Sequence, residues 1–555
     1  PALSCADQNN YYITQDGSGV QDGSSFTNAW SVSDFNNVTN WSRSDQTDKI
    51  DPGDTVYFSG LITSQVKPPE GYGGASGKAV ILDGWEGGTC NPVANRGCPN
   101  AARIDVGRMK NSSNYCIYIE DNSYVVIQDF ELKEFFVGIL AVGPSTGDTR
   151  ATNLIIRRNY IHDMSGTGIQ QTYNAPDGSG INYVTIGGSE RDGNLIFDTM
   201  QESEDGHNLG LNASDDVIIS YNEIGNSFQD RSALSNNVSI HNCDRVLAEY
   251  NTVYRPDGQA CIVFKETGGV NRIARFNKCY ECGTQGGVAV IAKTPSPGYN
   301  HHIYIYGNKI YGSEGGIQLF RNYDEVHIWS NIIHDIEKTG IQISHASGCT
   351  PGDVYVYNNT LVRTSNNTCD SQKSAIRVYG VSPLKVRIRN NIFENNRTGC
   401  DGKEQLFVYP GVEGLVSSID YNTYNYPENT STIYYDGARR HLDYMRTFEH
   451  ETNGKYQDPG FNGTEDFTLD GSNVDDGQEI SGCFDISIQG KNYSLCYEDA
   501  LDPDGTDWTT TPPTVSTVRQ GNAGSWERGA YAYTGKTDAT PQLPAPFNLR
   551  ILGLR

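Results

Sequence analysis

Ile303-Tyr-Ile305-Tyr-Gly-Asn308-Lys-Ile310, Val326-His-Ile328-Trp-Ser-Asn331-Ile-Ile333, Val354-Tyr-Val356-Tyr-Asn-Asn359-Thr-Leu361 and Val386-Arg-Ile388-Arg-Asn-Asn391-Ile-Phe393 are four copies of one template: apolar, any, apolar, any, any, Asn, any, apolar. The Asn recurs after 23, 28 and 32 residues. The first three copies are each followed by a further short strand: Gly316-Ile317-Gln-Leu319, Gly340-Ile341-Gln-Ile343 and Ala375-Ile376-Arg-Val378. A repeat of this length settles the architecture before any other signal does. Apolar residues at alternate positions give each strand one inward and one outward face. A strand this short cannot bury its inward face alone, so successive turns must stack. The Asn falls at the bend, where left-handed backbone and an amide that bonds the turn are both useful. Stacked turn on turn, these amides form an internal ladder. The pattern therefore predicts an all-β chain, a single right-handed parallel β-helix.

Composition agrees. Sixty Gly and 34 Tyr in 555 residues suit many short strands and turns. A solenoid grows by adding turns, so this length does not require several globular domains. The formal net charge of −25 argues against nucleic acid and against anionic membrane surfaces as partners. It fits an extracellular protein that binds calcium. No apolar run reaches the length of a membrane span. Thirteen Cys lack zinc-finger spacing, and the close pairs Cys90/Cys98, Cys279/Cys282, Cys349/Cys369 and Cys483/Cys496 point to disulfides in an oxidising compartment. The odd count leaves at least one thiol free or available for pairing between chains. Cys243, Cys261 and Cys279 lie within strand patterns and read as core residues. The opening Pro1-Ala-Leu-Ser-Cys5 carries no signal peptide, so a processed form, secreted or on the cell surface, is expected.

Working outward, Asp51-Pro-Gly-Asp54 is a turn that launches the alternating strand Thr55-Val-Tyr-Phe58. The template reappears at Leu154 to Asn159, Val217 to Asn222, Val246 to Asn251 and Arg272 to Asn277. At Tyr124 to Phe130 a Phe stands in place of the Asn. Asn222 follows Asn159 by 63 positions, enough for an extra turn and a long acidic loop. The opening segment resembles the N-terminal cap of secreted β-helix proteins of the pectate-lyase-like superfamily. Asp458-Pro-Gly-Phe461 and Gly529-Ala-Tyr531 resemble their C-terminal closing segment. The expected division is a cap with opening turns over 1–105, repeats over 106–425, and a closing segment with a Pro-rich tail over 426–555.

The densest polar stretch runs from Glu202-Ser-Glu204-Asp205-Gly-His207 through Asp230-Arg231 and His241 to Phe264-Lys265. Asp205, Asp230 and Lys265 are 25 and 35 residues apart, near whole turns, so they are expected to stack on one face. Phe264-Lys265 followed by Gly268-Gly269 resembles the segment that carries the catalytic Lys in family 9 pectate lyases, with Glu266-Thr267 intervening here. That resemblance implies a calcium-assisted polysaccharide lyase acting on an acidic polysaccharide. Lys265 would be the general base, with Glu202, Glu204, Asp205 and Asp230 as Ca²⁺ ligands. β-Elimination needs a cation to neutralise the uronate and a base for the adjacent proton. An unprotonated Lys needs burial or nearby positive charge, which Arg231 and Arg275 are expected to supply. His207 joins them as a candidate catalytic group, and Arg275, Arg321, His241 and His345 as groove-lining contacts to substrate. Outward Tyr304, Tyr306, Tyr355 and Tyr357 either stack on sugar rings or form ordinary strand surface. Each of these residues also has a plainer reading, as a solvated turn or as a Lys reaching to water from a strand end. Two other functions stay open: a glycoside hydrolase with paired carboxylates, and a surface or filament protein whose sides self-associate.

Overall fold

The computed structural model describes residues 8–44, 46, 48–84, 102–105, 114–143, 151–172, 180–199, 207–227, 235–256, 258–265, 269–291, 301–320, 323, 325–345, 352–365, 373–380, 385–394, 404–426, 432–469, 476–520 and 526–532, with only the backbone at 301, 345 and 415. They wind into three long sheets of 15, 14 and 13 strands. The first sheet collects the template strands, such as Asp215–Ser220, Asp244–Glu249, Val270–Arg275 and His301–Tyr306. The second takes the short strands after each Asn, such as Thr252–Tyr254, Lys278–Tyr280 and Lys309–Tyr311. The third takes strands such as His207–Asn212, Asn236–His241, Ala260–Lys265 and Gly286–Ile291. Along the repeats each strand pairs in parallel with the strand three places further along the chain. This is a parallel β-helix, and parallel crossovers are right-handed almost without exception. No helix among the described residues is long and apolar enough to cross a membrane.

The bend between the first and second sheets differs in one respect from expectation. The residue in left-handed backbone is the one before the Asn: Tyr221 (φ 61°), Tyr250 (54°), Phe276 (56°), Ser330 (52°), Asn358 (54°) and Asn390 (57°). Glycine precedes the Asn at Gly307, in left-handed backbone, and at Gly193, which is not left-handed. Left-handed backbone costs an L-residue roughly 1–2 kcal/mol. The Asn that follows offsets this cost through hydrogen bonds. Asn159, Asn194, Asn222, Asn251, Asn277, Asn308, Asn331, Asn359, Asn391 and Asn422 form one unbroken column. In each step the backbone N–H and the side-chain Nδ2 both donate to the Oδ1 of the next Asn, at 2.9–3.1 Å. The column expected from Asn222 to Asn391 is present, and Asn194 supplies the turn missing between Asn159 and Asn222.

Both ends of the ladder are satisfied. At the start, the Phe130 N–H donates to Asn159 Oδ1 at 3.1 Å. Phe130, Phe58, Phe35 and Trp41 then pack edge-to-face or tilted in a cluster of rings, with neighbouring centroids 5.1–5.4 Å apart, that plugs the N-terminal end. At the other end Glu451 stands where the next Asn would be. Its carboxyl accepts from the Asn422 Nδ2 at 2.8 Å and the Tyr424 hydroxyl at 2.5 Å. Leu442 and Met445, from the short helix Leu442–Arg446, fill the core beside it. The hairpin Ile433–Tyr435 with Ala438–Arg440 pairs antiparallel and ends the third sheet, so no parallel edge is left open there.

The C-terminal segment does not stop at that end. The hairpin Cys483–Ile488 with Lys491–Cys496 lies back along the outer face of the first sheet, where Gln489 at its tip bonds Asp216. Ile486, Ile488, Leu495, Tyr497, Leu501 and Trp508 cover Tyr304, Tyr306, Trp329 and Tyr357. Tyr304, Tyr306 and Tyr357 are thus packing residues under a cover, while Tyr355 is only partly buried beside them.

Two predictions follow from the column. Asn308 donates to Ala274 O, Tyr306 O and Asn331 Oδ1 and accepts two bonds from Asn277. Asn308→Ala leaves several of these buried partners unpaired and should cost about 3–5 kcal/mol in urea unfolding. Glu451 is fully buried, and desolvation lifts its carboxyl to about 7 despite the bonds from Tyr424 and Asn422. The folded state therefore holds a proton that the unfolded chain has lost. The stabilisation is complete below the ordinary Glu range and is lost as pH rises through about 7. Stability should fall by roughly 3 kcal/mol between pH ~4.5 and pH ~7.5 on this account. Glu451→Gln should flatten that part of the pH profile in thermal unfolding.

Candidate active site

On the third sheet the inward side chains, Leu209, Val238, Ile262 and Phe264, belong to the core. The alternate positions face out. Register places Gly210 beside Ser239 and Ser239 beside Val263, with Asn212, His241 and Lys265 in the neighbouring outward row. His207 starts its strand, and His241 ends the next one. The two rings converge from opposite ends over the Gly210–Ser239 pair, with centroids 6.1 Å apart. Gly210 makes this possible, because a Cβ there would lie 3.3 Å from the His207 ring. Ser239 Oγ lies 2.8 Å from His241 Nε2 and fixes that imidazole. Lys265 sits directly beside His241 in register, half-buried at the end of its strand.

The electrostatics of His207 reflect its burial and its two basic neighbours. Burial pushes the His207 imidazole down to about 3, and the neighbouring Lys265 and His241 push in the same direction. A hydrogen bond to the Asn236 backbone opposes the shift without reversing it. His207 is therefore neutral at ordinary pH, with Nδ1 buried and lacking a partner. Among the described residues, the adjoining outward positions Ala289, Ile291, Gln318 and Phe320 carry no carboxylate. The face offers a base, two imidazoles and hydroxyl or amide groups.

The structure thus brings together His207, His241 and Lys265 from the residues that the sequence nominated. It does not bring Arg275 to them. Arg275 is on the first sheet, where it pairs with Glu249 at 2.6 Å and donates to the Tyr306 hydroxyl at 2.7 Å beneath the C-terminal hairpin. Arg275 is thus on a different sheet from His241 and Lys265 and is paired within the protein. Glu202, Glu204, Asp205, Asp230, Arg231 and Arg321 lie outside the described residues. His345 ends the strand Ile341–His345 of the same third sheet, and only its backbone is described. Ser239 was not nominated. Parity could have found it, since it lies two residues before His241 on the same face.

Cysteine placement also departs in part from expectation. Cys483–Cys496 is a disulfide, but Cys282 pairs with Cys261 across the turn and not with Cys279. Cys261 is thus a bridge residue, whereas Cys243 and Cys279 are free and buried as expected. Cys90, Cys98, Cys349 and Cys369 lie outside the described residues. One further cluster, His334 with Asp335 and Glu465, has ligand-like composition. Arg363 already bridges both of its carboxylates at 2.7 Å, so its charge is met from within the protein.

No family model matches the chain, and no curated protein matches it. Among solved structures it is similar to the GH136 lacto-N-biosidase from Eubacterium ramulus, with 12% identity over 68% of both chains and a TM-score of 0.39. It is also similar to the A-module of the Azotobacter vinelandii mannuronan C-5 epimerase AlgE6, with 13% identity over 73% of this chain and 91% of that one, TM-score 0.36. A third is the pectate lyase Pel9A, with 11% identity over 71% and 79%, TM-score 0.27. The likeness is one of architecture, the stacked parallel coil, which is also what the resemblance to pectate-lyase-like proteins implies.

The placement of His207 gives a direct test. In a pH titration followed by NMR, the His207 ring signals should stay in the neutral form down to pH ~4, well below the usual midpoint near 6.5. A midpoint for His207 within the ordinary range would contradict the buried, cation-flanked placement.

Proposed function

We propose that this protein is a carbohydrate-active enzyme, and more narrowly a polysaccharide lyase that cleaves a uronate-containing polymer by β-elimination. The observation that carries this reading is the placement of His207, His241 and Lys265 on one outward face over consecutive turns. Lys265 is the general base. It takes the proton from C5 of the uronate ring. The electron pair of that bond forms the C4–C5 double bond, the C4–O4 glycosidic bond breaks, and the leaving oxygen takes up a proton. The imidazoles suit the other needs of the step. Neutral His207 tolerates an adjacent cation without adding charge, and His241, oriented by Ser239, can donate to a carboxylate or hydroxyl of the sugar. General acid–base groups of this kind contribute about 10²–10⁴-fold each.

Calcium belongs to this proposal through Glu202, Glu204, Asp205 and Asp230, hard oxygen ligands of the type Ca²⁺ requires. When bound it would neutralise the uronate carboxylate. These residues precede His207 or lie in the connection before Ser239 and His241, but they are outside the described set, so no step is routed through the ion. A hydrolase would need two carboxyl groups at a set separation, and the described outward positions next to Lys265, Ala289, Ile291, Gln318 and Phe320, present none.

Lys265→Ala should lower formation of the ultraviolet-absorbing unsaturated product by about 10²–10⁴-fold with thermal unfolding unchanged. Lys265→Arg should do the same, because Arg keeps its proton. Undiminished unsaturated product from the Ala variant would remove Lys265 as base. Reducing ends without unsaturation from the wild type would replace the lyase reading with a hydrolase.

A further inference from the structure

The first inward position of the first sheet is occupied, turn by turn, by Val125, Leu154, Val184, Val217, Val246, Arg272, Ile303, Val326, Val354, Val386 and Val416. Every member is aliphatic except Arg272, which is 0% exposed. A guanidinium in an otherwise apolar column costs stability, and replacing such a buried charge by a hydrophobic group of similar volume is often neutral or stabilising. Violations of the packing rule at a single turn gather at functional sites.

The side chain of Arg272 leads toward the candidate active site. Its Nε donates to the Cys243 carbonyl at 2.9 Å, two residues after His241. Its guanidinium carbon lies 5.9 Å from the centre of the Phe264 ring, one residue before Lys265. It also occupies the space beside Gly269, where a Cβ would fall 1.6 Å from Nη2. Arg272 thus bonds the backbone just past the strand of His241 and lies over the ring next to Lys265 in sequence. Burial holds its own proton less tightly, near 10, with Cys243 and Asp244 acting in the other direction. It is still a full positive charge at neutral pH.

We infer that Arg272 is a positioning residue of the active site: a buried cation that, through its bond to the Cys243 carbonyl and its packing on Phe264, holds the strand ends bearing His241 and Lys265. This rests on the lyase reading for its catalytic consequence, but the placement of Lys265 can be read without turnover.

The test uses Arg272→Met and Gly269→Ala in the full chain, with three readouts: thermal unfolding, unsaturated product from a uronate polymer, and the pH dependence of amine labelling at Lys265. Lys278 and Lys309, on the second sheet, serve as internal references in the labelling. Arg272→Met is expected to unfold at the wild-type temperature or higher and to lose at least ten-fold in product formation. Its Lys265 labelling profile should shift while those of the reference lysines stay unmoved, because the strand end that carries the amine is no longer held. Gly269→Ala, which drives a methyl into the guanidinium, should reproduce the loss of product. Wild-type turnover and labelling in Arg272→Met would overturn the inference. So would a chain that fails to fold, or one in which all three lysines shift together, because either makes Arg272 a stability residue. If the wild type forms no unsaturated product on any uronate polymer, the lyase reading fails by itself. The labelling then decides the inference: a selective Lys265 shift supports it, and none overturns it.

Discussion

The asparagine column is the constraint on which this molecule depends. The turn must change direction sharply between the first and second sheets, and at most turns it does so by placing a non-glycine residue, often an aromatic one, in left-handed backbone. That conformation persists only where the surroundings over-determine it. The Asn that follows supplies this, using one oxygen to accept two bonds from the turn before and its amide to bond the carbonyls of its own and the previous turn. Because each Asn accepts from the last and donates to the next, the spacing of the whole stack is set by one repeated contact. Both caps are built to end that column: a cluster of aromatic rings at one end and a protonatable carboxyl at the other.

A regular stack in turn determines where chemistry can collect. Outward side chains on neighbouring turns are brought side by side without any loop having to be ordered, so a site needs only the right residue types in the right rows. The C-terminal segment covers the first sheet's outer face over several turns. The third sheet keeps His207, His241 and Lys265 in adjacent outward positions. One buried guanidinium departs from the aliphatic column of the first sheet and bonds the backbone just past the strand of His241.

Much of the fold was legible because it rests on periodicity. The template fixed the strands, the turns and the Asn column, and the 63-residue gap correctly implied a further turn, which Asn194 completes. Side-chain environment was less legible. Tyr304, Tyr306 and Tyr357 were read correctly as outward, but nothing local reveals that a segment more than a hundred residues later would bury them. The same long-range packing removes Arg275 from the site. Cys261 bonds Cys282 and not a closer neighbour because the turn, and not sequence distance, sets proximity. The site was legible to the extent that strand parity applies: His241 and Lys265 share a register, whereas the acidic residues assigned to calcium lie outside the described residues. Arg272 was visible as the one break in an apolar position, but a mismatch in a pattern carries meaning only once its neighbours are known.

The account places substrate across the outer face of the third sheet. A crystal structure of the protein soaked with an oligouronide and calcium tests this most directly. The expected result is a chain of sugars lying over the Gly210–Ser239 pair, with the Lys265 amine about 3 Å from a C5 proton position and His207 and His241 facing the ring. Binding on the covered first sheet, or elsewhere on the coil with Lys265 out of reach, would contradict it.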